Sequence, residues 1–480
     1  MSIFAILLVP LAAAVICGAS GSRRIAPAVT VAGTLAVLLL AVRLALHVAD
    51  GNTVVALQDF VAIDGLSALI VLLVALVATT AACYSWGYMA RTSAHAPARL
   101  RVYYTNYNLF VFSMLAIPVV IEPTLVWIFV ELTTLSSAML VSFEDTHAAL
   151  EAAWKYVALS LMGAAIALLG FLILFAAMQA AGGGAYTWDG LLAAAPRMPP
   201  ALLQTAFLLI LVGFGTKVGL VPLHTWLPDA HSQAPSPVCA LLSGIETTSV
   251  LYVILRLFPV LKAAALPGIE TLVVAFGLVS VGVAAFLLLQ VRDYKRLFAY
   301  STVEHMGIIL IAAALTAPAA HFGAMYQVLN HTVTKSFCFF AAGAAVLTVT
   351  TREIGAVRGL IRTSPLAAAS LLLGGLAIAG APPLAVFLSE FSIFRAGLAE
   401  GRYAVVALLV LFIAIGFVGV MRHINRMIFG RPHHTAPTAS LPASCVATLV
   451  IAGAIVIALG LYLPASLYDL LRRAAGALQG

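Results

Sequence analysis

Along nearly the whole chain, apolar runs of roughly 17–25 residues follow one another with only short polar breaks between them. A run of that length, wound as a helix, crosses the hydrocarbon core of a bilayer with its backbone fully hydrogen-bonded. Strands crossing lipid would need a closed barrel written in alternating segments of about ten residues, and these runs are too long and too uniformly apolar for that. Only 9% of the residues are charged, against about 25% in soluble domains. The expected fold class is therefore an all-α polytopic membrane protein. The runs give about fourteen spans, near 2–18, 26–48, 64–88, 106–121, 123–142, 150–178, 201–222, 236–258, 270–290, 296–316, 320–348, 365–395, 403–427 and 443–463.

The net charge of +7 does not point to nucleic acid, because the excess lies in short loops. The connections holding "GSRR", "RTSAHAPARLR", "VRDYKR", "TREIGAVRGLIR" and "RHINRMIFGRPHH", with Lys155, carry roughly fifteen Lys and Arg against roughly eight for the opposite side. The basic side is read as cytoplasmic, which puts both termini outside. The first run lacks a basic leader and a small-residue cleavage site, so it reads as a span and not a removable signal. The connections leave no room for a separate soluble domain. The end "PASLYDLLRRAAGALQG" reads as a short amphipathic piece at the surface. Five cysteines sit in or beside apolar runs without CxxC spacing, and no nucleotide-binding glycine pattern occurs. No cofactor or metal is expected.

A charge at mid-bilayer costs at least about 2.5–3.5 kcal/mol, and such residues mark ion or proton pathways. The runs nevertheless contain Glu131, Lys217, Glu246, Glu304, His305, His331, Lys335 and Glu390. His331 and Lys335 are one turn apart and share a helix face. One buried acid–base pair can simply hold two helices together. Six or more ionisable groups at similar depth are better explained as a relay. Glu246 is read near the end of its run, and Glu304 as an interfacial residue. A lysine paired with Glu131 stays protonated, and released into a dry site it becomes a willing donor. A movable Glu131–Lys217 pair is thus expected to act as a switch, with histidines completing the relay.

The stretch "GFGTKVGLVPLHTWLPDAHSQAPSP" places prolines inside a span, where freed backbone is tolerated only in protein or beside a water-filled cavity. Transporters place such breaks at matching positions of two repeats. Here "GFGTKVGLVPLHTWLPD" (Gly213–Asp229) aligns without gaps on "GGLAIAGAPPLAVFLSE" (Gly374–Glu390). Gly219 meets Gly380, Pro222 meets Pro383, and Lys217 meets Ile378. His224 and His231, with Asp229 between them, make a conceivable metal site; proton uptake or loop packing fits a proline-rich loop better.

These residues resemble the antiporter-like membrane subunits of respiratory complex I and membrane-bound hydrogenases, which are also similar to the large subunits of cation/proton antiporters. "LEAAWKY", "RDYKRLFAYSTVEHMG", "LNHTVTKS" and "APPLAVFLSEF" bring the chain nearest to component F of hydrogenase-4 complexes. The resemblance implies fourteen helices containing two inverted five-helix repeats, each with a broken helix. Residues 1–105 would hold three leading helices, 106–258 and 259–427 the two repeats, and 428–480 the last helix and tail. It implies ion translocation, usually of protons, coupled to electron transfer in partner subunits of an inner-membrane complex. By position, Glu131 matches the fifth-helix glutamate and Lys217 its seventh-helix lysine partner. His305 matches a tenth-helix position, His331 and Lys335 the eleventh-helix relay, and Glu390 the twelfth-helix residue near the exit. Thr248 stands where some members have an eighth-helix lysine, and Glu246 lies two residues earlier, so water and Glu246 bridge this gap or the relay is interrupted there. Two other readings stay open. One is a sodium/proton antiporter subunit or the membrane part of an inorganic-carbon uptake system. The other is a structural membrane scaffold.

Overall fold

The computed structural model describes residues 3–20, 22, 24–56, 60–92, 97–431 and 440–479. Parts of the basic connections at 21, 23, 93–96 and 432–439 lie outside them. The chain runs α1 (Ile3–Ala19), α2 (Ile25–Ala49), a hairpin of β1 (Val54–Ala56) and β2 (Val61–Ile63), α3 (Gly65–Thr92), α4 (Pro97–Ala116), α5 (Pro123–Val141) and α6 (His147–Ala180). It continues through α7 (Trp188–Ala194), α8 (Pro200–Val218), α9 (Trp226–Gln233), α10 (Ser236–Leu241), a π turn (Leu242–Glu246) and α11 (Thr247–Ala263). Then come α12 (Ile269–Leu288), α13 (Tyr294–Ala314), α14 (Pro318–Val349), α15 (Leu360–Thr363), α16 (Pro365–Ile378), α17 (Ala385–Ala399), α18 (Tyr403–Ile428), α19 (Ala443–Leu461) and α20 (Ala465–Gly476).

Short polar signals start these helices. Glu122 accepts from the Thr124 and Leu125 amides ahead of α5, with Pro123 at the first helical position. Thr146 caps α6, and Asp293 accepts from the amides of Lys295 and Arg296 to cap α13.

Among the described residues, eleven helices are long and apolar enough to cross a membrane, α10, the π turn and α11 counting as one. Three of the fourteen expected spans fall outside that set. α1 has 17 residues. α4 begins well before the expected 106 and takes Arg99 and Arg101 into its first turns. The twelfth run is split into α16 and α17. The chain is a multi-pass, all-helical membrane protein. Val15, Leu39, Leu172, Val418 and Ile451 are exposed on the outer helices, as a lipid-facing surface permits, because acyl chains are as apolar as leucine.

The centre is built from α10–α11, α13 and α14, which are buried on nearly every side. Two tight helix pairs flank it. A Cβ on Gly213 of α8 would stand 2.5 Å from the Gly163 carbonyl of α6, and one on Gly277 of α12 would stand 2.9 Å from the Gly307 carbonyl of α13. Small residues at these crossings let the backbones approach closely. α20 is amphipathic as expected, but it is packed in place: Leu470, Leu471, Ala474 and Ala475 are buried, and Arg473 Nε donates to the Ala49 carbonyl at 2.9 Å.

Candidate functional site

Two helix breaks organise the interior, and they have the same local geometry. α8 ends at Gly219 (φ 88°) and α16 ends near Gly380 (φ 72°), both in the left-handed region that favours glycine. The Leu220 amide donates to the Gly215 carbonyl at 2.8 Å, and the Gly219 amide to Thr216 at 3.2 Å. At the second break, the Ala381 amide donates to Leu376 at 2.9 Å and Gly380 to Ala377 at 3.3 Å. Each is a complete Schellman cap, closing the half-helix with six-to-one and five-to-two bonds. Cis peptides occur at Val221–Pro222 and Pro382–Pro383. The Gly213–Asp229 and Gly374–Glu390 alignment thus pairs breaks of one conformation.

Lys217 lies in the last turn of α8, at the carbonyl end of the half-helix, where a cation is favourably placed. Its ammonium donates to the Val130 carbonyl at 3.1 Å and to the Thr134 hydroxyl, both on α5. Its ionic partner differs from the expectation. Glu246 Oε1 stands 3.2 Å from Nζ, with the two side chains 2% and 0% exposed. The same oxygen accepts from Thr133 at 3.1 Å and from the Tyr156 hydroxyl at 2.8 Å. Glu131 is one turn from Thr134 and within electrostatic reach of Lys217 and Glu246, yet both its oxygens lack a hydrogen-bond partner. In this conformation the paired acid is therefore Glu246, and Glu131 stands by. Glu246 is also not at a helix end: it closes the π turn inside the continuous Ser236–Ala263 segment.

That π turn joins α10 to α11. Thr248 bonds back towards its own helix, to the Gly244 carbonyl at 3.5 Å, and does not bridge. Glu246 instead faces back to Lys217, while Ser243 faces forward. The Ser243 carbonyl accepts from His331 Nε2 at 3.1 Å, and its hydroxyl lies 2.5 Å from that of Thr302. Residues three apart share a face in a regular α-helix; the extra residue wound into a π turn rotates them apart.

Beyond it, the His331 and His305 rings lie 5.2 Å apart between centroids. His305 Nδ1 accepts from Gln327 Nε2 at 3.0 Å, and Nε2 donates to the Ile378 carbonyl, freed at the end of α16, also at 3.0 Å. Ser389 donates to Gln327 Oε1 and accepts from Asn330 Nδ2 at 3.1 Å. Lys335 donates to the Phe298 carbonyl at 2.6 Å and to the Ser301 hydroxyl, both on α13. Glu390 is buried against the second break, where a Cβ on Gly380 would overlap Glu390 Oε2. Glu304, read from sequence as interfacial, is also buried.

The polar loop is less unified. Asp229 accepts from Arg296 at 2.7 Å and pairs with Lys155 at 3.3 Å, tying α6, α9 and α13 together. The His224 ring lies 6.4 Å from that of Tyr300. His231 is fully buried between Trp226 and Phe339, with Nδ1 on the Leu227 carbonyl at 2.7 Å. Among the described residues no three His, Cys, Asp or Glu side chains are grouped to hold a metal ion. The groups that sequence reasoning missed are uncharged: Thr133, Thr134, Tyr156, Ser243, Gln327, Asn330 and Ser389. Runs such as "ELTTLSS" and "LNHTVTKS" were the available signal, being too polar for lipid.

A membrane-embedded, twice-broken bundle carrying buried lysines and acids is the architecture of an antiporter-like membrane subunit. The model described as "NADH:quinone oxidoreductase/Mrp antiporter, TM" matches residues 123–416, and "NADH-Ubiquinone oxidoreductase (complex I), chain 5 N-terminus" matches 60–97. The chain belongs to the NADH:quinone oxidoreductase/Mrp antiporter transmembrane family and is an antiporter-like membrane subunit of it. It is 36% identical over 416 residues to a hydrogenase-4 component F homolog of Methylacidiphilum infernorum, covering 85% of this chain and 86% of that one. It is 32% identical to hydrogenase-4 component B of Escherichia coli, over 72% of this chain and 52% of that one. Two solved structures share the fold at a TM-score of 0.88: the membrane-bound sulfane sulfur reductase, an archaeal respiratory membrane complex (23% identity; 99% of this chain, 97% of that one), and the Mrp complex from Dietzia sp. DQ12-45-1b (21%; 98% and 96%).

Proposed function

We propose that this chain moves protons across an inner membrane as a subunit of a hydrogenase-4-type respiratory complex, with redox energy arriving from partner subunits. The observation that carries the reading is the buried line of groups joined at the π turn: Lys217 to Glu246 on one side of it, and Ser243 to His331 and His305 on the other. Protons enter from the cytoplasmic side beside the break between α8 and α9, where His224 and Asp229 stand. They pass Lys217 and Glu246, cross at Ser243 to the histidines and Lys335, and leave outward past Glu390. Glu131 draws Lys217 away from Glu246 and so modulates its readiness to give up a proton. Both termini face outward, a placement that the excess of Lys and Arg in the opposite loops supports.

The identity to a hydrogenase-4 component F homolog supports this assembly. The equally good structural match to an Mrp complex favours, as a second reading, a cation/proton antiporter subunit. The test uses inverted vesicles from a host making the whole complex, with substrate-driven acidification followed by a pH dye. Lys217→Met is expected to assemble on a native gel and to lose acidification. Unchanged acidification refutes the relay at its central residue. Acidification that appears only with a sodium gradient and no redox substrate transfers the chain to the second reading.

A further inference from the structure

The two lysine sites are built alike. Each ammonium rests on a backbone carbonyl and a hydroxyl of one helix: Val130 and Thr134 on α5 for Lys217, Phe298 and Ser301 on α13 for Lys335. That helix carries a glutamate one turn from the hydroxyl, Glu131 beside Thr134 and Glu304 beside Ser301. α5 and α13 are each the second helix of an expected five-helix repeat. At the first site a second acid, Glu246, completes the set.

From this likeness we infer that Glu304 is a further proton-carrying residue, lying between Lys335 and Glu390, so that each half of the chain holds one lysine and two carboxylates. The inference rests on the relay reading above. Four observations place Glu304 there. It is 6% exposed, although it sits on a helix face turned towards the peripheral α18. α18 makes room for it: a Cβ on Gly416 would overlap Glu304 Oε1. The adjacent His305 bonds to the Ile378 carbonyl, two residues before the Gly380 notch that receives Glu390. Glu304 is within electrostatic reach of both Lys335 and Glu390. With one ammonium and two carboxylates at each site, full ionisation leaves a buried negative charge, which is strongly disfavoured. Each site therefore holds one proton on its acids in addition to the one on its lysine. With the resting acid proton on Glu390, that proton leaves outward first; Glu304 takes a proton from the Lys335 ammonium, leaving the neutral amine, and passes it to the Glu390 carboxylate so vacated.

The experiment compares Glu304→Gln, Glu304→Asp and Gly416→Ala with Lys217→Met in the same vesicles, reading acidification per substrate turned over. Native gels and the electron-transfer rate control for assembly. Glutamine keeps the shape and removes the ionisable group, so Glu304→Gln is expected to lower acidification about tenfold or more at unchanged assembly. Glu304→Asp is expected to recover part of it. Gly416→Ala presses a methyl group on the carboxylate and is expected to lower acidification without removing any charge. If Lys217→Met collapses acidification while Glu304→Gln leaves it at the wild-type level, Glu304 is structural and the inference is overturned. If Lys217→Met changes nothing, the relay reading fails, and this inference with it. If Glu304→Gln does not assemble, Gly416→Ala decides: lowered acidification supports the inference and an unchanged value overturns it.

Discussion

Removing one member of the Lys217–Glu246 pair should destabilise the protein more than removing both. Breaking a buried ion pair from one side costs about 3–5 kcal/mol, because the other charge is left without its counter-ion. In Glu246→Gln the ammonium keeps the Val130 carbonyl and the Thr134 hydroxyl, each worth about 1 kcal/mol. That reduces the expected loss to about 1–3 kcal/mol. In Lys217→Met the carboxylate keeps the Thr133 and Tyr156 hydroxyls, so a loss of similar size is expected. The double variant holds no uncompensated charge and should fall within about 1 kcal/mol of wild type. The coupling is measured in a double-mutant cycle on the detergent-purified complex by thermal unfolding with a thiol-reactive dye. Cys17, Cys239, Cys338 and Cys445 are buried and report the transition. Additivity of the two single losses within about 0.5 kcal/mol refutes the pairing. A larger coupling in the parallel Glu131→Gln/Lys217→Met cycle transfers it to Glu131.

Gly380→Ala forces a left-handed backbone on an L-residue, at about 1–2 kcal/mol, and drives a methyl group into the Glu390 carboxylate. It should lower both stability and acidification, whereas Gly182→Ala, at φ 107° with no atom within 4 Å, should affect stability alone. At the start of α3, burial opposes ionisation of Asp64, but the Arg256 guanidinium, at 2.5 Å and 2.7 Å, outweighs it and holds the carboxyl below the usual carboxylate range. A depressed folded-state value gives stability that is complete above the unfolded pKa of about 3.9 and is lost as pH falls through the folded value. Asp64→Asn should therefore lower the unfolding temperature at neutral pH and shrink the acid-side decline, as the same dye assay over pH 3–7 would show.

The apolar runs determined the spans because lipid admits only helices and closed barrels, and runs this long and uniform can only be helices. The expected limits 150–178 and 403–427 fall within a few residues of α6 and α18. The breaks were legible for an equally local reason. Gly219 with Pro222, and Gly380 with Pro383, encode turns that almost no other residues make, and both form the same Schellman cap. The charged members of the site were also visible, since any charge in such a run stands out.

The partnership of those charges was not visible. Glu131 and Glu246 are both glutamates in apolar helices, and only the rotation of α10–α11 at the π turn brings one of them to Lys217 and leaves the other unbonded. A π turn is a rare single-turn insertion within an α-helix, and the run holding Leu242–Glu246 reads as one continuous apolar helix. The uncharged members, Gln327, Asn330 and Ser389, read like ordinary polar residues of a helix interface until tertiary contacts align them with His305. Glu304 could be read as interfacial from its run alone; a notch at Gly416, more than a hundred residues later, receives it and keeps it buried. Local sequence decides where helices begin, break and end, because those outcomes depend on neighbours along the chain. Which side chains meet depends on how distant helices rotate against one another, and that was decided only by the packed bundle.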